Sequence, residues 1–258
     1  MGLLLRSGAK QGPVSRYFAG TDSFETALSG FIARKTARGV KKKHLPNSVG
    51  VVVSNNFCRY LVVPWSDAFL QKEESVAYLR TEFGNVYGNS VEDWEIISQN
   101  AGYDRPRVAC AMDASLLRSL REGCEQMGLK LAFCRPYLSM AFDHFLRYMD
   151  GVNGIFALVE KNVLTFTAWS DNDIMDVDVE HCEEKNWTNV LTGWCERNRL
   201  MEGGAFKIFV VCPSGLRCRD IPSAGETGWN FLGWSDDAQI LVSVPPEYYF
   251  MPACAIWA

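Results

Sequence analysis

Three histidines, nine cysteines and a cluster of carboxylates carry most of the chemical capacity of this chain. His44 stands in a basic loop, His144 in the middle of an otherwise apolar helical pattern, and His181 at a strand end beside Cys182. A thiol beside an imidazole could make a nucleophile and its base. Neighbours in a strand point to opposite faces, however, so His181 and Cys182 are not expected to meet. His144 reads as a structural histidine. The cysteines, at 58, 110, 124, 134, 182, 195, 212, 218 and 254, form no C-x-x-C pair. Their number is odd and the chain is long, unlike a disulfide-stapled secreted domain. Cys58, Cys110, Cys134 and Cys212 lie in apolar runs, where a thiol behaves as a small hydrophobe.

The carboxylates Asp171, Asp173, Asp176, Asp178 and Glu180 invite a calcium-loop test. Such a loop needs Gly at its sixth place and Glu at its twelfth; counted from Asp171, Asp176 and Cys182 stand there. Asp176, Asp178 and Glu180 alternate with Val177 and Val179, which predicts a solvated strand face. Phosphate-binding glycine loops of the G-x-x-x-x-G-K-[ST] and G-x-G-x-x-G kinds do not occur. Gly203-Gly204 precedes a strand, where a dinucleotide loop would follow one, and reads as a helix stop. Pro213-Ser214-Gly215 lacks the preceding glycine of a nucleophile elbow. No catalytic, cofactor-binding or metal-binding residue is assigned.

Docking residues are easier to nominate. The segment from Arg34 to Lys43 holds six basic residues, Lys41, Lys42 and Lys43 among them, without interleaved aromatics of the kind that stack on bases. Trp187 and Trp194 have helical core spacing, whereas Trp65, Trp229 and Trp234 are expected in loops, where aromatics anchor interfaces. Lys plus Arg number 26 against 30 Asp plus Glu, a net charge of −4, so nothing global draws the chain to nucleic acid or an anionic membrane. No apolar run approaches the roughly 18–20 residues of a spanning helix. Leu3-Leu4-Leu5 is too short for a signal-peptide core, and Arg6 spoils a myristoylation pattern at Gly2. A soluble, cytoplasmic protein is expected, with no direct membrane insertion.

These residues need elements to hold them. Residues 1–20 read as an irregular or weakly extended arm. Asp22, with Glu25 as its capping-box partner, starts a helix that Gly39 ends. Val49–Val53 and Phe57–Val63, separated by Ser54-Asn55-Asn56, read as a hairpin or closely spaced strand pair. A helix capped by Ser66 runs to about Phe83, followed by strands at Trp94–Ser98 and Arg107–Met112. Asp113 caps a helix to Met127 that Gly128 terminates; Leu129–Cys134 is a strand, and Pro136 opens a helix to about Tyr148. After the linker Asp150–Gly154 come a meander (Ile155–Glu160, Val163–Trp169, Ile174–Glu180), a helix around Glu184–Leu200, and strands at Lys207–Cys212 and Gln239–Val244. Two α/β lobes, 1–150 and 151–258, follow from this order.

The stretch Val51–Ser66, with Phe83-Gly84, Tyr87-Gly88, Trp94, Pro106–Asp113 and Pro136–Phe142, resembles proteobacterial proteins related to actin-like components of pilus and secretion machines. The type IV pilus platform protein PilM and the cytoplasmic domain of the type II secretion protein GspL are the named members it is similar to, best over about residues 46–148. The resemblance implies an actin-like (RNase H-like) pair of mixed sheets with helices, each lobe built as strand–strand–strand–helix–strand. Residues 1–20 cannot comfortably supply three strands of five or six residues plus turns, so the first lobe is expected to be N-terminally truncated. Actin-like ATPases carry an Asp-Gly phosphate loop in the first hairpin of each lobe. Here that hairpin is largely absent in the first lobe, and the second offers Glu160-Lys161-Asn162 without glycine.

The resemblance therefore implies a non-catalytic scaffold that binds protein partners of an inner-membrane assembly platform, with no nucleic acid and no cofactor. Arg59 and Trp65 are the expected contacts, aided electrostatically by Lys41–Lys43, although an arginine on a strand can also serve only to pair with a carboxylate. The alternative is an actin-like ATP-binding protein or kinase using the inter-lobe cleft. A nuclease of related fold would need carboxylates converging on metal from the first sheet, and residues 49–63 contain none.

Overall fold

The structure, a computed structural model, describes residues 2–6, 15–18, 48–149, 153–160, 162–170, 173–183, 186–197, 207–211 and 229–232. The expected helix from Asp22, the lysines 41–43, Trp234, the strand Gln239–Val244 and the 150/151 boundary lie outside them.

The C-terminal sheet shows the clearest plan. It contains β8 (Gly154–Val159), β9 (Val163–Ser170), β10 (Asp173–His181), β11 (Lys207–Val211) and β12 (Trp229–Leu232), in the order β10-β9-β8-β11-β12. The meander β8–β9–β10 is antiparallel, as the turns between its apolar runs predict, whereas β8–β11 and β11–β12 are parallel. Every residue of β8 is buried, as suits a strand covered on both faces. At Gly154 a Cβ would sit 2.2 Å from the Lys207 carbonyl oxygen, so glycine lets the start of β11 close against β8. The α-helix Trp187–Arg197 covers one face, Trp194 stacking on Phe166 with ring centroids 4.8 Å apart. Trp229, expected in a loop, lies in β12 at 7 % exposure against Trp187. A parallel edge strand formed where the density of Gly and Pro suggested coil.

The N-terminal sheet has the order β2-β1-β3-β7, from β1 (Gly2–Arg6), β2 (Ser15–Phe18), β3 (Ser48–Val53) and β7 (Lys130–Pro136). Two strands thus replace the arm expected over residues 1–20, because each finds a backbone partner. β1 runs antiparallel to both β2 and β3, and β3 runs parallel to β7. Those directions match the C-terminal sheet with its innermost meander strand, the equivalent of β8, omitted among the described residues. Deleting that strand brings an antiparallel pair together where the C-terminal sheet has the parallel pair β8–β11.

A third sheet, β4-β6-β5, is antiparallel and built from β4 (Cys58–Val63), β5 (Trp94–Ser98) and β6 (Arg107–Asp113). This corrects the hairpin expected over residues 49–63: β3 and β4 are consecutive but belong to different sheets. The 3-10 turn Asn55–Phe57 redirects the chain, and β4 pairs with β6 instead. Helix α1 starts later than expected, at Lys72–Tyr87, behind a 3-10 turn Asp67–Leu70 whose Ala68 N–H donates to the Ser66 hydroxyl. It covers one face of this small sheet, burying Leu79 and Phe83 against Val63, Ala109 and Ala111.

Helix α2 (Ala114–Gln126) begins as its sequence predicts, with Asp113 Oδ1 accepting from Ser115 N–H at 2.7 Å, and stops at Gly128, where φ is +68°. Helix α3 (Tyr137–Phe145) follows β7, and α4 is the helix Trp187–Arg197 already described. The other face of the small sheet (Cys58, Tyr60, Cys110, Met112) joins Leu117 and Leu120 of α2, Phe142 of α3, and Phe156, Ile174 and Val177 of the C-terminal sheet in one core. The two halves therefore share buried apolar surface.

Candidate functional site

The turn after β8, the first hairpin of the C-terminal sheet, and the start of α3 after β7 come together at the end of β3. Asn55, fully buried at the end of β3, reaches both. Its backbone N–H donates to Glu160 Oε2 at 3.1 Å, in the turn between β8 and β9. Its Oδ1 accepts from the Leu138 N–H at 3.0 Å, in the first turn of α3, and from the Tyr60 hydroxyl at 2.8 Å. A helix N-terminus is a ready anion site because its first N–H groups lack partners. Here the Asn55 side chain satisfies one of them, and the Glu160 carboxyl occupies the turn after β8. Burial pushes the Glu160 carboxyl above its ordinary range, opposed by hydrogen bonds from Ser54 and Asn55. Burial likewise pushes the Tyr60 hydroxyl well up, so it stays a neutral donor. Asn55 Nδ2 is buried without a hydrogen-bond partner.

The other candidates do not assemble into chemistry. His181 is exposed while Cys182 packs toward the C-terminal core. His144 is 6 % exposed and lies edge-on to Phe145, as expected of a structural histidine. Cys58, Cys110, Cys124, Cys134 and Cys195 are buried, and burial raises the thiols of Cys124 and Cys195 to about 11, the behaviour of packing groups. The strand carboxylates are less solvated than predicted: Asp176, Asp178 and Glu180 are half-buried, and Glu180 pairs with Arg197 of α4. The helix crossing that face shields it. Among the described residues, no three His, Cys, Asp or Glu side chains gather to hold a metal.

Arg59 and Trp65 stand at opposite ends of β4, roughly 20 Å apart for six extended steps, so they are not one site. Arg59 is exposed, and its Nη1 donates to the carbonyls of Cys58 (2.9 Å) and Asn56 (3.4 Å) rather than to a carboxylate. Trp65 belongs to an aromatic group, its ring 4.8 Å from that of Tyr103 and 5.9 Å from that of Phe69, which meets Tyr78 edge-on at 5.3 Å. Arg107 completes this group, its guanidinium carbon 4.1 Å from the Phe69 centroid and 5.2 Å from that of Trp65. Sequence reasoning missed Phe69, Tyr103 and Arg107. The 3-10 turn Asp67–Leu70 brings Phe69 to Trp65, and the pairing of β4 with β6, which sets Val63 opposite Arg107, brings Arg107.

No protein-family model and no curated protein matches the chain. Solved structures do. One, described as the PilM-PilN type IV pilus biogenesis complex, aligns with a TM-score of 0.59 and 10 % identity over 95 % of this chain and 90 % of that one. The cytoplasmic domain of EpsL, an inner membrane component of the type II secretion system of Vibrio cholerae, aligns with a TM-score of 0.52 and 12 % identity, covering 94 % and 93 %. A Bacteroides thetaiotaomicron protein with an actin-like ATPase fold and unknown function gives a TM-score of 0.51 and 11 % identity, covering 90 % and 86 %. At such identities the likeness is one of architecture, and it agrees with the strand orders above: the chain has the actin-like fold, with one sheet short of its innermost strand among the described residues.

Proposed function

We propose that this chain is a non-catalytic actin-like scaffold that binds protein partners of a type IV pilus or type II secretion assembly platform. Such a protein would work in the cytoplasm, held at the inner membrane through its partner. Among the described residues no helix is long and apolar enough to cross a membrane. The observation that carries the reading is Asn55, whose backbone N–H donates to the turn after β8 and whose Oδ1 accepts from the start of α3. The Glu160 carboxyl in that turn offers an anion no cation and already accepts the Asn55 N–H, which supports a reading without nucleotide. The small sheet presents Arg59 at one end and Trp65 at the other, and both are assigned to partner contact, with Lys41, Lys42 and Lys43 as an electrostatic aid.

Two measurements test this. A ligand at 100 times its dissociation constant adds roughly 2.7 kcal/mol of stability, so bound Mg-ATP would raise the melting temperature visibly. No shift at millimolar Mg-ATP is expected, and a clear one would favour the nucleotide-binding reading instead. Cytoplasmic segments of the platform's membrane proteins are expected to bind the wild type and to bind Trp65→Ala poorly while its fold persists. Unchanged binding would remove Trp65 from the site.

A further inference from the structure

Arg107 is a half-buried cation that its own fold leaves without an anion among the described residues. It opens β6 and lies opposite Val63, the last residue of β4, with Phe69 of the 3-10 turn Asp67–Leu70 beside it. Among the described residues its side chain makes no hydrogen bond and no ion pair, and its Nε is buried without a partner. The faces of Trp65 and Phe69 hold the guanidinium through the attraction of a cation for a ring quadrupole. That interaction engages the flat side of the group and leaves its in-plane N–H donors unused. Burial lowers the pKa of Arg107, and no nearby carboxylate opposes the shift. Its neighbour Arg105 is already taken, with Nη2 2.6 Å from Asp173 of the C-terminal sheet.

We propose that Arg107, with Trp65, Phe69 and Tyr103, is a receptor for a carboxylate side chain carried on an apolar segment of a protein partner. The proposal deepens the scaffold reading and rests on it. Charge sets the class of ligand: one guanidinium, with its planar fork of donors, matches one carboxylate in a bidentate pair. A nucleic acid or anionic lipid surface favours several cations acting together, whereas here the neighbouring Arg105 is already paired with Asp173. The rim sets the flanking chemistry. Tyr103, packed on Trp65, is 73 % exposed, and Leu70, next in the chain to Phe69, is 65 % exposed, apolar area beside the aromatic group that would cover residues next to the carboxylate. Covering it would also exclude water from the ion pair and so strengthen it.

Pairs of short synthetic peptides with a central Glu or Gln between Leu and Phe residues provide the probe, and titration against the full chain provides the readout. The wild type is expected to prefer the Glu peptide by about tenfold, equivalent to ~1.4 kcal/mol. Arg107→Met should abolish the preference with the melting transition retained. Arg107→Lys, which keeps the charge but loses the fork, should fall between and serves if the Met variant does not fold. Equal affinity of the wild type for both peptides, binding of neither, or a preference that survives in Arg107→Met would each overturn the proposal. So would tight binding to phosphatidylglycerol vesicles without discrimination between the peptides. If platform segments bind while the Glu preference is missing, the receptor falls and the scaffold reading stands. If the Glu preference appears alongside a Mg-ATP melting shift, the scaffold reading falls and the receptor stands.

Discussion

Asn55 and Arg107 mark the two ends of β4, and each is a strongly polar side chain set among apolar ones. Asn55 is fully buried, and its Oδ1 serves two donors from separate elements. Arg107 is half-buried, and among the described residues its guanidinium meets aromatic faces and no anion. The first joins two halves of the molecule through its backbone N–H and Oδ1, and its unpartnered Nδ2 is sealed inside; the second retains donors at a partly exposed site that something outside can reach. A buried polar group with partners stabilises and specifies a junction, whereas a partly desolvated cation without them is a cost to the isolated fold that an incoming anion can relieve. The difference suggests which polar residues serve architecture and which serve recognition.

The largest expected effect is at Asn55. Asn55→Ala leaves the Tyr60 hydroxyl and the Leu138 N–H buried without their acceptor, for about 2–4 kcal/mol at the usual cost of an unsatisfied donor, read as a shift of the urea midpoint. The same substitution in a Tyr60→Phe background should cost less, because one of the two stranded donors is already gone. Equal losses in both backgrounds would break the account of the junction.

Glu160 sharpens the comparison through pH. Burial holds its folded pKa above the ordinary 4.5. Its stabilising contribution is therefore complete below the unfolded value and is lost as pH rises through the folded one. Glu160→Gln, whose amide oxygen can still accept from Asn55 N–H, should gain stability relative to the wild type as pH rises above 4.5. Parallel denaturation curves at each pH would show whether that gain is present.

At the other end of β4 the effects should be smaller. Arg107→Met is expected to change stability by about 1 kcal/mol or less, since it removes a cation–π contact but also an unanswered charge. A loss as large as that of Asn55→Ala would mean that Arg107 serves the fold. Smallest of all should be Arg105→Ala. Its ion pair with Asp173 is 42 % and 27 % exposed on the two sides, and exposed pairs contribute about 0.5 kcal/mol, within reach of careful thermal melts.

Local structure was legible where its cause was local. Asp113 and Gly128 bound a helix whose Leu117, Leu120 and Cys124 recur on one face, and the structure ends it at those residues. The meander of β8, β9 and β10 followed from apolar runs interrupted by polar turns. The sequence also pointed to the altered turn at Glu160, but not to Asn55 as the group that meets it, because those residues are 105 apart. Ser54-Asn55-Asn56 reads as a hairpin turn for the same reason: it stands between two apolar runs, and nothing nearby reveals that each run has a different partner. Trp229 was misplaced because the parallel neighbour that makes its strand, β11, carries the information.

By itself, then, the chain determined its periodicities, its caps and stops, and the lack of a glycine at the turn after β8, since all of these act within a few residues. Tertiary structure alone decided that β4 pairs with β6, that Trp65 and Arg107 share one cluster while Arg59 stands apart, and that Asn55 spans two elements. Strand partnership and desolvation depend on residues far away in sequence, and the balance between a satisfied polar group and an unsatisfied one is set only when those residues arrive.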